Sequence, residues 1–260
     1  MVKQSMYRLF IELSNHKVNS YLLRKFATSK ASRRLNKSFA KTFKLNEKEM
    51  LEPLESYESL HKLFIRQLNP LDRPINENEG IVVSPVDGIL AEQHVLSPGV
   101  TFHVKGQDYT IEEMLGSKEA AQKYEGGTLM VLYLSPSHYH RIHSPVDAEV
   151  MKQWVLGGRS YPVNNYGLRY GRRPLSRNYR VITELDVDGR SLAVVKVGAM
   201  NVNTIELTHA NPTIKRGEEM GYFSFGSTVV LIAQKGLMEL ATCDTPSDVK
   251  VGQKLTNKLI

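Results

Sequence analysis

The chain has 260 residues, of which 41% are hydrophobic and 23% are charged, and this composition excludes a largely disordered protein. Its single cysteine, Cys243, excludes an internal disulfide framework and a cysteine-based zinc site. The apolar runs are too short to span a bilayer, and the first residues lack the apolar segment of a signal peptide. We therefore expect an intracellular, reducing location.

The positive charge is concentrated near the N-terminus. The net charge is +7, and residues 1–50 hold 12 Lys/Arg against 3 Asp/Glu, whereas the other 210 residues hold 22 against 24. Apolar residues recur here at helical spacing: Val2, Met6, Leu9 and Leu13, then Tyr21, Leu22, Leu23 and Phe26, then Leu35, Phe39 and Phe43. Basic amphipathic helices can lie on an anionic membrane, and they can equally pack on the rest of the protein. A nucleic-acid-binding arm is less favoured, because the apolar residues follow a helical register.

The texture of the sequence changes after residue 70. Helical patterning runs to about Gln67, and Pro70 and Pro74 follow it. Short alternating or apolar runs then predict strands at Ile81–Val83, Ile89–Val95, Thr128–Leu134, Glu149–Leu156 and Thr228–Gln234. Asp188-Gly189, between Val181–Val187 and Ser191–Val197, predicts a β-hairpin with a type I′ turn. One helical interlude is predicted, at Tyr109–Leu115 and Lys118–Tyr124.

These elements predict an α+β fold with two regions. Residues 1–75 form a basic helical region, and residues 76–260 form a β-rich body that resembles a barrel or a sandwich. One internal echo lies in the body, where Ser84-Pro-Val-Asp87 recurs as Ser144-Pro-Val-Asp147. Each copy leads into a predicted strand, which indicates two related halves.

Reactive side chains gather in the two echo segments and around Ser227. His138, His140 and His143 lie close to Asp147, and the four side chains could bind zinc. That alternative is less favoured, because His143 follows a predicted turn after the other two histidines. A serine, a histidine base and an aspartate can instead form a proton-transfer unit, with Ser227 and Asp87 as candidates. Spacing alone does not show that these side chains meet, and no nucleophile-elbow motif is present.

Taken together, these segments resemble the bacterial phosphatidylserine decarboxylase proenzymes. The resemblance covers nearly the whole chain, and its most specific part is Tyr-His-Arg-x-His followed by Gly-Ser-Thr. It is carried by Leu63-Phe-Ile-Arg66 to Arg73-Pro74, Ser84-Pro-Val-Asp-Gly88, Tyr139-His-Arg-Ile-His143, Val197-Gly-Ala-Met-Asn-Val202 and Gly221-Tyr-Phe-Ser-Phe-Gly-Ser-Thr-Val229.

The resemblance implies that the protein cuts its own chain between Gly226 and Ser227. It would yield a large chain, 1–226, and a small chain, 227–260, which stay associated. Asp87, His143 and Ser227 are implied as the charge relay of self-cleavage, and His140 as the proton-transfer residue of decarboxylation. No metal is implied. Asp147 remains an alternative to Asp87 on sequence alone.

The implied activity is conversion of phosphatidylserine to phosphatidylethanolamine and CO₂, a step of phospholipid biosynthesis. The implied cofactor is a covalent pyruvoyl group made from Ser227, which forms a Schiff base with the substrate amine. The implied partners are phosphatidylserine and an anionic membrane surface, without nucleic acid. The basic N-terminal region then becomes a docking arm on the cytoplasmic side of the cell membrane. The oligomeric state is left open, a homodimer included.

A stretch without Asp or Glu, residues 157–180, is the predicted region for phosphate contacts, because arginine donates two parallel hydrogen bonds to phosphate. It contains six arginines: Arg159, Arg169, Arg172, Arg173, Arg177 and Arg180.

Overall fold

The computed structural model describes residues 17–97, 101–104, 106–158, 161–163, 165–199, 205–224, 227–240 and 244–256. Val2, Met6, Leu9 and Leu13 lie outside the described residues, as do Gly226 and Cys243. The described α-helices are α1 Lys17–Thr28, α2 Asn36–Phe43, α3 Leu60–Phe64, α4 Ile111–Leu115, α5 Lys118–Gln122, α6 Asn165–Tyr170 and α7 Pro174–Arg177. Short 3₁₀ helices lie at Lys30–Leu35, Glu47–Glu49, Leu54–Ser56 and Pro70–Asp72.

The described strands are β1 Gly88–Val95, β2 Thr101–Val104, β3 Gln107–Thr110, β4 Thr128–Leu134, β5 Arg141–His143, β6 Ala148–Leu156, β7 Arg180–Val187, β8 Arg190–Gly198, β9 Ile205–Leu207, β10 Thr213–Ile214, β11 Glu219–Phe223, β12 Ser227–Ala233 and β13 Ser247–Val249. Eight of them form one antiparallel sheet in the order β10-β6-β7-β8-β12-β4-β1-β13. A three-stranded sheet has the order β5-β11-β9, and β2 pairs with β3.

The eight-stranded sheet is the middle layer of the body. One of its faces shares an apolar cluster with the three-stranded sheet, to which Ile142 and Phe223 contribute. The other face packs on the β2–β3 pair, α4 and α7 through residues such as Tyr109, Met114 and Leu175. The mixed α+β class is thus confirmed. The barrel alternative is wrong for the described strands, because β10 and β13 are two open edges that do not pair with each other.

The echo in the sequence marks a structural duplication. In each copy the serine hydroxyl donates to the carbonyl two residues later at 2.7 Å, in Ser84 and in Ser144. Two backbone hydrogen bonds cross between the copies, from Val83 N to Pro145 O at 3.0 Å and from His143 N to Pro85 O at 2.8 Å. The two copies are therefore bound to each other in equivalent ways.

The strand order repeats the same relation. Each half of the eight-stranded sheet begins at an edge with a short strand, continues with the strand that follows the repeated motif, and ends with two further strands. These series are β13, β1, β4, β12 in one half and β10, β6, β7, β8 in the other. The pairing register shifts between Leu90 and Glu92 in β1, and it shifts between Val150 and Lys152 in β6. The two halves meet at the β8–β12 pair, so the prediction of related halves is confirmed.

Most element predictions of the body hold. Asp188 and Gly189 have φ of 52° and 80°, which a type I′ turn requires, so the predicted hairpin is confirmed. The strand at Ile81–Val83 is wrong, because only a single bridge joins Val83 to Lys254. The predicted helix at Tyr109–Leu115 begins later, because Tyr109 belongs to β3 and Thr110 caps α4 by accepting from Glu113 N at 3.1 Å.

The N-terminal region is built from short helices rather than one continuous run. α1, α2 and α3 are separated by 3₁₀ turns, and α2 and α3 contribute to a small apolar cluster with Leu63 that also includes Tyr139 and Val251 of the body. No described helix is long and apolar enough to cross a membrane.

Candidate active site

His140 is a fully buried imidazole between β4 and β5. Its Nδ1 lies 2.9 Å from the carbonyl oxygen of His138, to which it must donate, so the neutral ring carries its lone pair on Nε2. That Nε2 is buried without a hydrogen-bond partner in the described part of the chain. Burial lowers the pKa of His140 well below its ordinary value, and the charge of Arg66 lowers this pKa further. His140 is therefore a neutral base at pH 7.

His143 lies in β5, where its neighbour Ile142 points into the core, so alternation along the strand projects His143 to the other face. Its Nδ1 donates to the carbonyl oxygen of Gly217 at 2.8 Å, and the hydroxyl of Tyr139 lies 3.2 Å from its Nε2. Burial lowers the pKa of His143. The ring is thus held as a neutral base whose Nε2 can accept a proton.

The carboxylate of Asp87 is buried and fully engaged. It accepts from Arg73 Nε at 2.8 Å and Nη2 at 2.5 Å, and from the backbone N–H of Val251 at 2.9 Å. Arg73 also donates to Glu49 at 2.8 Å, so this guanidinium joins two carboxylates. Within the described residues no hydrogen bond connects Asp87 to His143.

The two candidate aspartates nonetheless differ. The pKa of His143 is lowered chiefly by burial, but the charge of Asp87 acts in the opposite direction and raises it. Asp147 is exposed, and its carboxylate accepts from the backbone N–H of Arg216 at 3.0 Å. Of the two candidate aspartates, the buried Asp87 is the one whose charge acts on His143, although more weakly than that of Glu219.

Ser227 is the first residue of β12, paired with Leu134 of β4 and Gly198 of β8. It is fully buried, and its Oγ has no hydrogen-bond partner among the described residues. It shares a sheet face with Val229, which packs in the cluster under the three-stranded sheet. Gly226, which precedes Ser227 in the chain, lies outside the described residues.

The structure brings some of the predicted residues together and leaves others apart. The backbone carbonyl of His140 accepts from Phe223 N at 3.0 Å, which ties the histidine segment to the strand that precedes Ser227. Asp87, His143 and Ser227 are not linked by hydrogen bonds in the described residues. Gly217, rather than an aspartate, orients the His143 ring.

Two cavities flank this segment and share Tyr139 and Arg73 in their walls. One has a volume of about 370 Å³ and is lined by Asp87 and His138 among others. The second has about 310 Å³ and is lined by His143. Sequence reasoning gave no role to Tyr139 or Arg73, although both lie in the motifs that carried the family resemblance.

The histidines do not converge as metal ligands. His138 accepts at Nδ1 from the backbone N–H of Ser135 at 3.0 Å, and His140 and His143 use Nδ1 as described above. The structure, over the residues it describes, contains no group of three His, Cys, Asp or Glu side chains placed to hold a metal.

Arg180 and Arg173, which belong to the six arginines predicted for phosphate contacts, bond to other groups of the protein. Arg180 donates to the carbonyl oxygens of Glu113, Met114 and Asn178, and burial lowers its pKa to about 10. Arg173 donates to the carboxylate of Glu113 at 2.5 Å. Arg159 lies outside the described residues. These contacts give Arg173 and Arg180 structural roles.

Comparison with known proteins decides the family. Residues 60–257 match the family model described as phosphatidylserine decarboxylase. The chain belongs to this family. It is 48% identical over 259 residues to the phosphatidylserine decarboxylase proenzymes of Bacillus thuringiensis (strain Al Hakam), Bacillus cereus (strain 03BB102) and Bacillus anthracis (strain CDC 684 / NRRL 3495). Each alignment covers 99% of both chains, so the resemblance drawn from the motifs is confirmed.

Proposed function

We propose that the chain is a self-processing phosphatidylserine decarboxylase that cuts itself between Gly226 and Ser227. The observation that carries the proposal is the Ser227 hydroxyl, which is buried at the start of β12 and has no partner among the described residues. A buried hydroxyl without a hydrogen bond is costly to maintain. It is therefore a good candidate for a group retained for its reactivity.

In the proposed cleavage, Ser227 Oγ attacks the carbonyl carbon of Gly226 while the Nε2 of His143 takes the hydroxyl proton. This transfer requires the His143 ring to move from the face of β5 on which it bonds to Gly217 and Tyr139 towards Ser227. The C–N bond then breaks as the ester forms, and the proton passes to the nitrogen of Ser227. Loss of the Cα proton of Ser227 expels the carboxylate of Gly226 and leaves an unsaturated residue. Water converts this residue into the pyruvoyl group and releases ammonia, so that atoms and charges balance.

Asp87 supports His143 through its field in this proposal. Removal of the solvent lowers the pKa of His143, and the negative charge of Asp87 opposes that effect. Direct contact between the two side chains would require Asp87 to give up a hydrogen bond to Arg73.

The pyruvoyl group supplies a carbonyl that condenses with the substrate amine and accepts the electrons left by departing CO₂. His140 carries the associated proton. Its neutral Nε2 can accept a proton and return it to the substrate carbon from which CO₂ has left. Its burial keeps competing water away from that position.

Helix α1 supports peripheral docking on an anionic bilayer, at the cytoplasmic side of the cell membrane. Tyr21, Leu22 and Phe26 are 62%, 56% and 46% exposed, although they are large apolar residues. Arg24 and Lys25 lie between them on the same helix. Exposed apolar side chains beside basic ones are typical of an interfacial helix.

The intact mass of the denatured, purified protein tests the proposal. We expect two chains, 1–226 and a 34-residue chain 227–260 (260 − 226 = 34) that lacks a free amine. Ser227→Ala should remain a single chain. Thr228→Val is the matched control, because its hydroxyl is also buried without a partner in the described residues, and this variant should still be cut. A single full-length chain that still decarboxylates phosphatidylserine would overturn the proposal.

A further inference from the structure

Three arginines of the described structure are almost fully buried, and they differ in how their N–H groups are used. Arg73 is bound by two carboxylates, and Arg180 donates from all three nitrogens to backbone carbonyls. Arg66 is 4% exposed, and only its Nη2 donates, to the carbonyls of Ser137 at 2.9 Å and His138 at 3.2 Å. Its Nε and Nη1 have no partner among the described residues.

An arginine in this state is under-satisfied. The guanidinium stays protonated, so Nε and Nη1 hold three N–H groups that lack acceptors. Burying charged donors without acceptors is among the costliest arrangements in a protein. Carboxylates and phosphates each present a pair of oxygens that matches the paired donors of the guanidinium, and they would satisfy these donors.

Arg66 also lines the cavity of about 370 Å³, which is within the range of small-molecule sites. Three carboxylates line this cavity: Asp87 and Glu49 are bound to Arg73, and Asp248 is the third. Arg66 forms no ion pair with a carboxylate of the described residues, so its own charge is left for a ligand that enters this cavity.

We propose that Arg66 binds an oxyanion of the phosphatidylserine headgroup, either its carboxylate or its phosphate. The assignment rests on the proposed function, because it presumes that this headgroup is the ligand. It places the headgroup beside the segment Ser137–His140, whose carbonyls already hold the Arg66 side chain.

The same contact couples substrate binding to His140. The ring of Phe64, two residues before Arg66, packs on the His140 ring with centroids 3.9 Å apart. After burial, the charge of Arg66 is the largest cause that lowers the pKa of His140. A bound oxyanion offsets that charge, so His140 becomes a stronger base when the headgroup arrives.

Calorimetry on the uncut Ser227→Ala full chain tests the proposal without any turnover. The probes are glycerophosphoserine, which carries carboxylate and phosphate, and glycerophosphoethanolamine, which carries phosphate alone. Arg66→Gln should weaken the binding of glycerophosphoserine at least tenfold. The affinity of Arg66→Lys should lie between those of the parent chain and Arg66→Gln, because lysine keeps the charge but lacks the paired N–H donors of arginine. Lys44→Gln is the control in the same cavity; because Lys44 is exposed, we expect less than a twofold change.

The two probes separate the two sources of the oxyanion. If Arg66→Gln weakens the binding of both probes equally, Arg66 binds the phosphate. If it weakens the binding of glycerophosphoserine alone, Arg66 binds the carboxylate. No binding by the parent chain, or equal binding by parent and Arg66→Gln, overturns the proposal. If Arg66→Gln does not fold, the NMR titration of His140 in the parent decides, since glycerophosphoserine must raise its pKa. Failure of the wild-type chain to cut itself would overturn the proposed function and leave this binding test intact.

Discussion

Lys196 allows a quantitative test of the core. It lies in β8, fully buried, and its Nζ donates to the hydroxyl of Thr183 at 2.6 Å. It shares a sheet face with Val194, which packs in the cluster between the two sheets. Burial lowers its pKa from 10.5 to about 7. No carboxylate of the described residues forms an ion pair with it.

The depressed pKa makes the free energy of unfolding depend on pH. Between about pH 7 and 10.5 the unfolded lysine holds a proton that the folded one has lost, so stability rises with pH in this window. Below pH 7 both states are protonated, and the full cost of the buried charge is present. Integrating from pH 6 to pH 9 gives a gain of about 3 kcal/mol from this side chain.

The assay is urea unfolding of Lys196 and Lys196→Met proteins at pH 6 and pH 9, both in the Ser227→Ala background so that single chains are compared. Methionine fills similar space without a charge. Subtracting the free energy of unfolding of the variant cancels the other titrating groups, and the remaining difference between the two pH values should be about 3 kcal/mol. The variant should also be the more stable protein at pH 6. A difference below about 1 kcal/mol would show that Lys196 keeps an ordinary pKa and that the reasoning is wrong.

Two further predictions concern the reaction and the membrane. Asp87→Asn should slow self-cleavage severalfold, because it removes one of the negative charges that raise the pKa of His143 and breaks the ion pair with Arg73, whereas Asp147→Asn should cut at the normal rate; equal rates on a denaturing gel would refute the assignment. Phe26→Gln should weaken binding to phosphatidylserine-containing vesicles severalfold in a sedimentation assay, whereas Leu71→Gln, which removes an 86% exposed leucine outside α1, should not. If the two changes weaken binding equally, α1 is an ordinary surface helix and does not dock on the membrane.

Local signals predicted much of the fold. The β7–β8 hairpin was predictable because Asp188-Gly189 supplies two residues that tolerate positive φ, a property of the residues themselves. The prediction of a strand at Ile81–Val83 failed, because these side chains are buried although the segment pairs only through a single bridge at Val83, and Val82 packs in the cluster between the sheets. An apolar pattern reports burial, and the partner of the segment is decided elsewhere in the chain.

The site was predictable in its residue types but not in its contacts. His140 and His143 lie in one short motif, which the sequence displays directly. The bonds that define their surroundings join distant segments, such as Arg73 to Asp87 and His143 to Gly217. Arg66 shows no local sign of its role, because its free donors become apparent only when every possible acceptor has been placed.

The duplication explains where the asymmetry of the site comes from. The two backbone hydrogen bonds between the copies make Val83 the counterpart of His143. The backbone N–H of Val251, which donates to Asp87, likewise corresponds to the backbone N–H of Arg216, which donates to Asp147. The body alone therefore offers two similar aspartate loops.

The N-terminal region breaks this equivalence, because its described residues form an ion pair with Asp87 and none with Asp147. Arg73 ion-pairs with Asp87, Ile65 accepts from Arg141 Nε at 3.0 Å, and Phe64 packs on His140. A nearly symmetric sheet thus gains a single buried polar site where residues 60–75 cover it. The same region carries the exposed apolar helix α1, so the segment proposed to meet the membrane is continuous with the one that completes the site.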